Sequence, residues 1–241
     1  MLLSETIRLV GAFNHMHIFV DPTPDAASTF KERKRLFEMP RSSWEDYDTS
    51  LISEGGGVFS RAAKSIKITP QMKEVFGISE DKLPPNELIQ AMLRSKVDLI
   101  WNGGIGTYVK ASTETDAEVG DKANDVLRID GKELNCRVVG EGGNLGLTQR
   151  GRMEAAARGV RVNTDFIDNA GGVNCSDHEV NIKILIDEVV ANGDMTDKQR
   201  NQLLADMTEE VSELVLTDNY RQTLALDLSQ RLSHQGIGPY L

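Results

Sequence analysis

Two short stretches carry the residues best suited to chemistry: Glu141-Gly142-Gly143-Asn144 and Asn169-Ala170-Gly171-Gly172-Val173. Each follows a β-branched run, Cys136-Arg137-Val138-Val139 and Val160-Arg161-Val162, that reads as a strand opening into a loop. Glycine there lets a backbone approach a ligand closely, and an asparagine amide donates and accepts at once. A third loop, Asn102-Gly103-Gly104-Ile105-Gly106-Thr107, opens directly from the apolar run Val97 to Trp101. Loops of this kind, at the carboxyl ends of neighbouring parallel strands, lie where open α/β sheets bind nucleotides.

Other chemistries find less support. The 241 residues carry a formal net charge of -10, which argues against a nucleic-acid partner, since phosphate binding rests on clustered Lys and Arg. The one basic cluster, Lys31 to Arg35, alternates with acid and reads as a solvated helix face. His178-Glu179 begins like a zinc-protease helix, but Ile182 stands where the second histidine is needed, and His15 with His17 is only a pair; no metal is expected. Cys136 and Cys175 are too few and too isolated for a disulfide framework. The start lacks the basic region of a signal peptide, and no run of about 18 apolar residues exists to span a membrane. A cytoplasmic protein with no membrane partner is expected.

The elements that must position the loops follow from periodicity. Residues 2 to 13 read as a helix, with Leu3, Ile7 and Val10 at helical spacing and Gly11 at its end. A short strand, Met16 to Val20, closes at Asp21-Pro22. Residues 29 to 67 read as an irregular insertion, with Ile66 to Ile68 a short edge strand. Helices are expected from Pro70 to Phe76, Pro85 to Arg94, 116 to 127 and Thr148 to Arg158, with Val97 to Trp101 a buried strand. Strand and helix thus alternate, the sign of a mostly parallel sheet with crossover helices. From Gly172 a long helix is expected to Val190, breaking at Asn192-Gly193. Thr196-Asp197-Lys198-Gln199 then caps a helix carrying Leu203, Leu204, Met207, Val211 and Leu214, and a further helix starts at Thr217 or Asp218.

In a dinucleotide-binding unit, a glycine-rich loop opens the first helix and an acid ends the second strand, about 20 residues later. With the first helix starting near Leu2 and Asp21 as the acid, that loop and the strand before it fall at or before residue 1. Two readings fit this start: a small protein whose sheet begins with a helix, or, in closer accord with the spacing, an α/β, Rossmann-like piece of a longer polypeptide, its first strand and Gly-rich loop missing and its C-terminal segment helical. Residues 1–192 form the NAD-binding domain and 193–241 the helical segment in this reading. Asp21 also has a plainer role, as a turn former before Pro22. A sheet lacking its first strand would expose unpaired edges or close its neighbours onto each other; exposed edges favour a dimer through the gap.

The motifs around Asn144, with Thr148 after it, and from Asp165 to Val173, with Ser176, resemble the cofactor-domain signatures of glutamate dehydrogenases. Pro40-Arg41-Ser42-Ser43-Trp44, Gly55-Gly56-Gly57-Val58-Phe59-Ser60 and Trp101 to Thr107 resemble the large bacterial NAD-specific branch. The resemblance implies NAD as cofactor and L-glutamate and 2-oxoglutarate as substrate and product, in a full-length enzyme that is a homo-oligomer. It implies that Asp21 holds the adenosine ribose and that Asn102, Gly103, Gly104 and Gly106 line the dinucleotide cleft. Asn144 would sit beside the nicotinamide ribose, Asn169 would hold the carboxamide, and Ser176 would bind the substrate's side-chain carboxylate.

Each has an alternative: Asn144 as a turn residue, Asn169 as a helix cap, Ser176 as an ordinary helix residue, the glycines as a tight turn. Common glutamate dehydrogenases have alanine where Gly143 stands and an aromatic pair where this chain has Asp177-His178. No residue matches the family's catalytic lysine and aspartate, so no catalytic residue is expected here, and the fragment alone is expected to be inactive and, without the phosphate loop, to bind NAD weakly at best. A non-catalytic nucleotide-binding or assembly module, and a dehydrogenase of another amino acid, are the competing functions.

Overall fold

The computed structural model describes residues 3–233. They form a mixed α/β chain in two compact units. The first comprises residues up to Ile100, Gly106–Val138 and Leu147–Arg161; the second comprises Trp101–Ile105, Val139–Gly146 and the chain from Val162.

The first unit begins with β1 (Gly11–Phe13) and β2 (His17–Val20), paired antiparallel with Ala12 opposite Phe19. The helix expected over residues 2 to 13 is absent from its described part, residues 3–13. Its carbonyls are claimed from elsewhere: Arg33 Nη2 donates to Ile7 at 3.2 Å and the Asp21 amide to Val10 at 3.1 Å, which holds the segment extended. Helical spacing of three apolar residues is a weak signal against such contacts. The spacing count from that helix to Asp21 therefore has no structural counterpart.

The stretch read as irregular contains α1 (Ala26–Glu38), which includes the helix expected under Lys31 to Arg35; Asp25 caps it, its carboxylate accepting from the Ser28 amide at 2.9 Å. Its buried positions are Thr29, Glu32, Arg33 and Leu36, so the Lys31 to Arg35 cluster is not a wholly solvated face: Glu32 and Arg33 turn inward on the side whose polar members masked its burial. Next come β3 (Gly57–Ser60), antiparallel to β2, then β4 (Ile66–Lys67), α2 (Pro70–Phe76), β5 (Lys82–Leu83) and α3 (Pro85–Leu93). β4 and β5 pair antiparallel. Phe19 stacks on Trp44 at 4.9 Å between ring centroids and packs with Leu36 and Tyr47 into one core cluster.

β6 (Leu99–Asn102) leads to β7 (Val109–Lys110) and α4 (Asp116–Val119), which ends at left-handed Gly120 rather than reaching residue 127. β8 (Ile129–Asp130) pairs parallel with β7. β9 (Val138–Glu141), α5 (Gln149–Ala157) and β10 (Arg161–Val162) follow, and the sheet order is β10-β9-β6. The Val138 amide donates to Asp98 and the Gly142 amide to Asn102, a constant offset that makes β9 parallel to β6. The expected mostly parallel sheet is thus divided: the β1-β2-β3 and β4-β5 pairings are antiparallel.

The second unit continues through α6 (Asp165–Asp168), α7 (Ala170–Ala191), α8 (Asp197–Asp206) and α9 (Thr208–Ser233). The Thr196–Gln199 capping box forms as expected. The chain breaks at Met207, and α9 then runs unbroken through Thr217 and Asp218, where a new helix was expected. Asp218 pairs instead with His178 of α7 at 3.1 Å, and Asn219 Nδ2 donates to the Ile167 carbonyl at 2.7 Å. Among the described residues no helix is long and apolar enough to cross a membrane.

Candidate functional site

Within the second unit, the turn after β9 meets the loop after β6. The Gly142 amide donates to the Asn102 carbonyl at 2.7 Å. A Cβ on Gly143 would lie 2.4 Å from the Gly104 carbonyl oxygen, and one on Gly142 would lie 2.7 Å from the Trp101 ring. A Cβ on Gly146 would lie 2.0 Å from Asn102 Nδ2. Gly143 is therefore required by contact with backbone, whereas at Gly142 and Gly146 the obstacles are side chains, the Trp101 ring and the Asn102 amide. Gly104, by contrast, faces open space, and Gly103 has only the Trp101 ring at 3.5 Å.

Asn144 and Asn169 come together. Asn169 Nδ2 donates to Asn144 Oδ1 at 2.8 Å, while Asn169 Oδ1 accepts from the Gly172 amide at 3.2 Å. Asn169 is thus both the cap of α7 and a partner of the turn after β9. Each amide keeps donor capacity beyond this pair, since an amide nitrogen carries two N–H groups.

The short helix α6 clasps the same turn. Asp168 Oδ2 accepts from the Glu141 amide at 3.1 Å, and Asp165 Oδ2 accepts from the Leu145 amide at 2.8 Å. Glu141, itself fully buried, accepts from the Gly146 amide at 2.8 Å. Three carboxylates thus fix one turn. The sequence assigned no role to these three; the i, i+3 spacing of Asp165 and Asp168 on α6 was the available signal, and Glu141 ends β9 with none. Leu145 adopts φ +58, which no sequence rule marks in a leucine.

Ser176 sits on α7, where its hydroxyl donates to the Gly172 carbonyl at 3.0 Å. Asn102 Nδ2 is buried and makes no hydrogen bond among the described residues. Asp21 and Gly106 belong to the first unit. Asp21 is fully buried; one oxygen takes the Ser53 hydroxyl and the Ser53 amide, and Oδ2 has no partner among the described residues. Gly106 has φ +130, and its position would bring a Cβ within 2.7 Å of the Tyr108 hydroxyl. A cavity of about 560 Å³ lies in the first unit, beside Asp98, Cys136, Arg137, Arg158 and Arg161. It holds none of the expected site residues, and the convergent amides, not its volume, define the candidate site.

Taken as a class, this is an α/β protein whose glycine and asparagine loops follow two adjacent parallel strands. The chain belongs to the family described as bacterial NAD-glutamate dehydrogenase, catalytic domain, which it matches over residues 1–229. It is 85% identical to the NAD-specific glutamate dehydrogenase of Halomonas elongata over 240 residues and 65% identical to that of Pseudomonas aeruginosa. Each match covers all of this chain and 15% of the relative. The enzyme of the same description from Mycobacterium tuberculosis is 56% identical over 229 residues, 92% of this chain and 14% of that one. The chain therefore spans about 15% of the length of these relatives.

Proposed function

We propose that this chain is the cofactor-orienting part of an NAD-dependent glutamate dehydrogenase. The observation that carries the reading is the Asn144–Asn169 amide pair, set at the mouth of two glycine loops and held by α6. The residues present suit a dinucleotide. Asn102 offers a buried amide nitrogen with no partner among the described residues, Gly104 leaves backbone open, and Asn144 and Asn169 retain donors. When bound, NAD supplies the nicotinamide ring that accepts hydride from the glutamate Cα.

The chain's own residues orient. Asn169 holds the carboxamide and so selects the ring face presented to substrate; Asn144 meets the adjoining ribose. Asp21, through its unpartnered Oδ2, accepts a ribose hydroxyl and disfavours a 2′-phosphate by charge. Gly103 and Gly106 give the backbone its close approach. Ser176 binds the substrate's distal carboxylate once its hydroxyl leaves the Gly172 carbonyl. The acid–base groups lie outside these loops, and water exclusion and near-attack geometry need the rest of the enzyme. On this reading the 241-residue chain alone forms no NADH from glutamate. The organisation is Rossmann-like over residues 1–192 with a helical segment over 193–241, in a cytoplasmic homo-oligomer.

Asn169→Asp tests it, because aspartate caps a helix as well as asparagine but donates nothing. Thermal stability should hold while NAD affinity falls about tenfold, the upper range for one hydrogen bond. Unchanged affinity would reduce Asn169 to a cap and remove the support for the reading. Glutamate-dependent NADH formation by the chain alone would likewise contradict the division of labour.

A further inference from the structure

The turn after β9 contains a backbone outlier that core packing does not explain. Leu145 sits at φ +58, in the left-handed region that favours glycine. Glycines stand close on either side, at 143 and 146. A leucine there strains the backbone, yet its side chain remains 64% exposed. Such strain persists only where the surroundings over-determine it, and it gathers at ligand sites. Here the surroundings are the Asp165 carboxylate on the Leu145 amide and Glu141 on the Gly146 amide, both at 2.8 Å.

The facing loop shows the same character. Ile105 is 97% exposed and follows Gly104, whose carbonyl lies against Gly143. Two large apolar residues thus stand exposed on loops that touch through their glycines, beside the Asn144–Asn169 pair. Apolar side chains framing a few convergent polar groups are the make-up of a small-molecule site.

We propose that Leu145, together with Ile105, makes the apolar contact with the flat face of the nicotinamide ring, and that Asp165 is the positioning residue that holds Leu145 there. The proposal rests on the reading of these loops as cofactor-orienting. Leucine is retained at a glycine-favouring position because its side chain serves the ligand, not the fold.

The test is NADH titration of the full-length enzyme by fluorescence, paired with thermal unfolding of the same protein preparations. Leu145→Gly and Leu145→Asn suit a left-handed backbone and so should unfold at the wild-type temperature or above. Their NADH affinity should nevertheless fall about five- to tenfold, the share of a leucine that is partly covered by ligand. Ile105→Ala should weaken binding in the same way, and Asp165→Asn should lower both affinity and stability. A merely structural Leu145 predicts the opposite for Leu145→Gly: wild-type affinity with equal or better stability, which overturns the proposal. Loss of affinity that tracks loss of stability in Leu145→Gly also overturns it. So does a change in sedimentation with unchanged affinity, which assigns the tip to a protein partner. Failure of the wild-type protein to bind NADH sinks the parent reading, and with it this one.

Discussion

A Cβ on Gly143 would sit 2.4 Å from the Gly104 carbonyl oxygen, far inside van der Waals contact, and the obstacle is backbone. Alanine at that place, as in common glutamate dehydrogenases, asks for a wider spacing between the two loops. Gly143→Ala should therefore cost about 1–3 kcal/mol by forcing the loops apart. Urea unfolding measures the loss, and NAD titration should show weaker binding in step with it; wild-type stability would mean that the loops do not meet through this glycine. At this scale the sequence was readable where chemistry and turn geometry coincide. Asn144 and Asn169 announce themselves by type and by their glycine neighbours. The Leu145 conformation and the Asp165 clasp do not, because both follow from a contact 20 residues apart in the chain.

Among the elements, those with local caps were legible: α2 behind Thr69-Pro70, α5 behind Thr148 and α8 behind Thr196. Those fixed by distant partners were not. The buried face of α1 carries Glu32 and Arg33, each satisfied by its own contacts: Glu32 accepts from Arg35 and from the Asp48 amide, and Arg33 donates to Thr29 and Ile7. Thr217-Asp218 resembles a helix start, yet Asp218 serves His178 and the helix continues through it.

The segment from β7 to β8 depends in the same way on a single side chain. Arg128, wholly buried, pairs with Asp116 at 2.5 Å and Asp125 at 2.8 Å and donates to the carbonyls of Thr107 and Asp121. Arg128→Ala leaves those acceptors without their donor and should cost about 3–5 kcal/mol. Chemical denaturation is the measurement, and a loss below 1 kcal/mol would show that water replaces the guanidinium freely.

For the molecule as a whole, buried and half-buried ionisable groups set a stability window in pH, and its two limbs have different owners. Glu32 is held below the usual carboxylate range by its hydrogen bonds to Arg35, and Asp121 by the Thr107 amide. Groups lowered in the fold contribute stability above their unfolded values, 4.5 and 3.8, and lose it as pH falls through the folded ones. Unfolding on the acid side therefore belongs below about pH 4.5.

Tyr47 supplies the other limb. Burial, aided by the nearby Asp21 carboxylate, pushes its phenol up from 10.0 to about 12. A raised group stabilises below its unfolded value and loses that contribution as pH climbs towards the folded one, so this loss falls between 10 and about 12. The formal charge of -10 adds repulsion on the same side. The Tyr47 hydroxyl makes no hydrogen bond among the described residues. Tyr47→Phe should accordingly leave stability at pH 7 unchanged or slightly higher, since it removes an unsatisfied polar atom and keeps the ring on Phe19. In urea titrations repeated across pH, the variant should lose less stability than wild type between pH 10 and about 12. Parallel curves through that interval would assign the alkaline limb to charge repulsion alone.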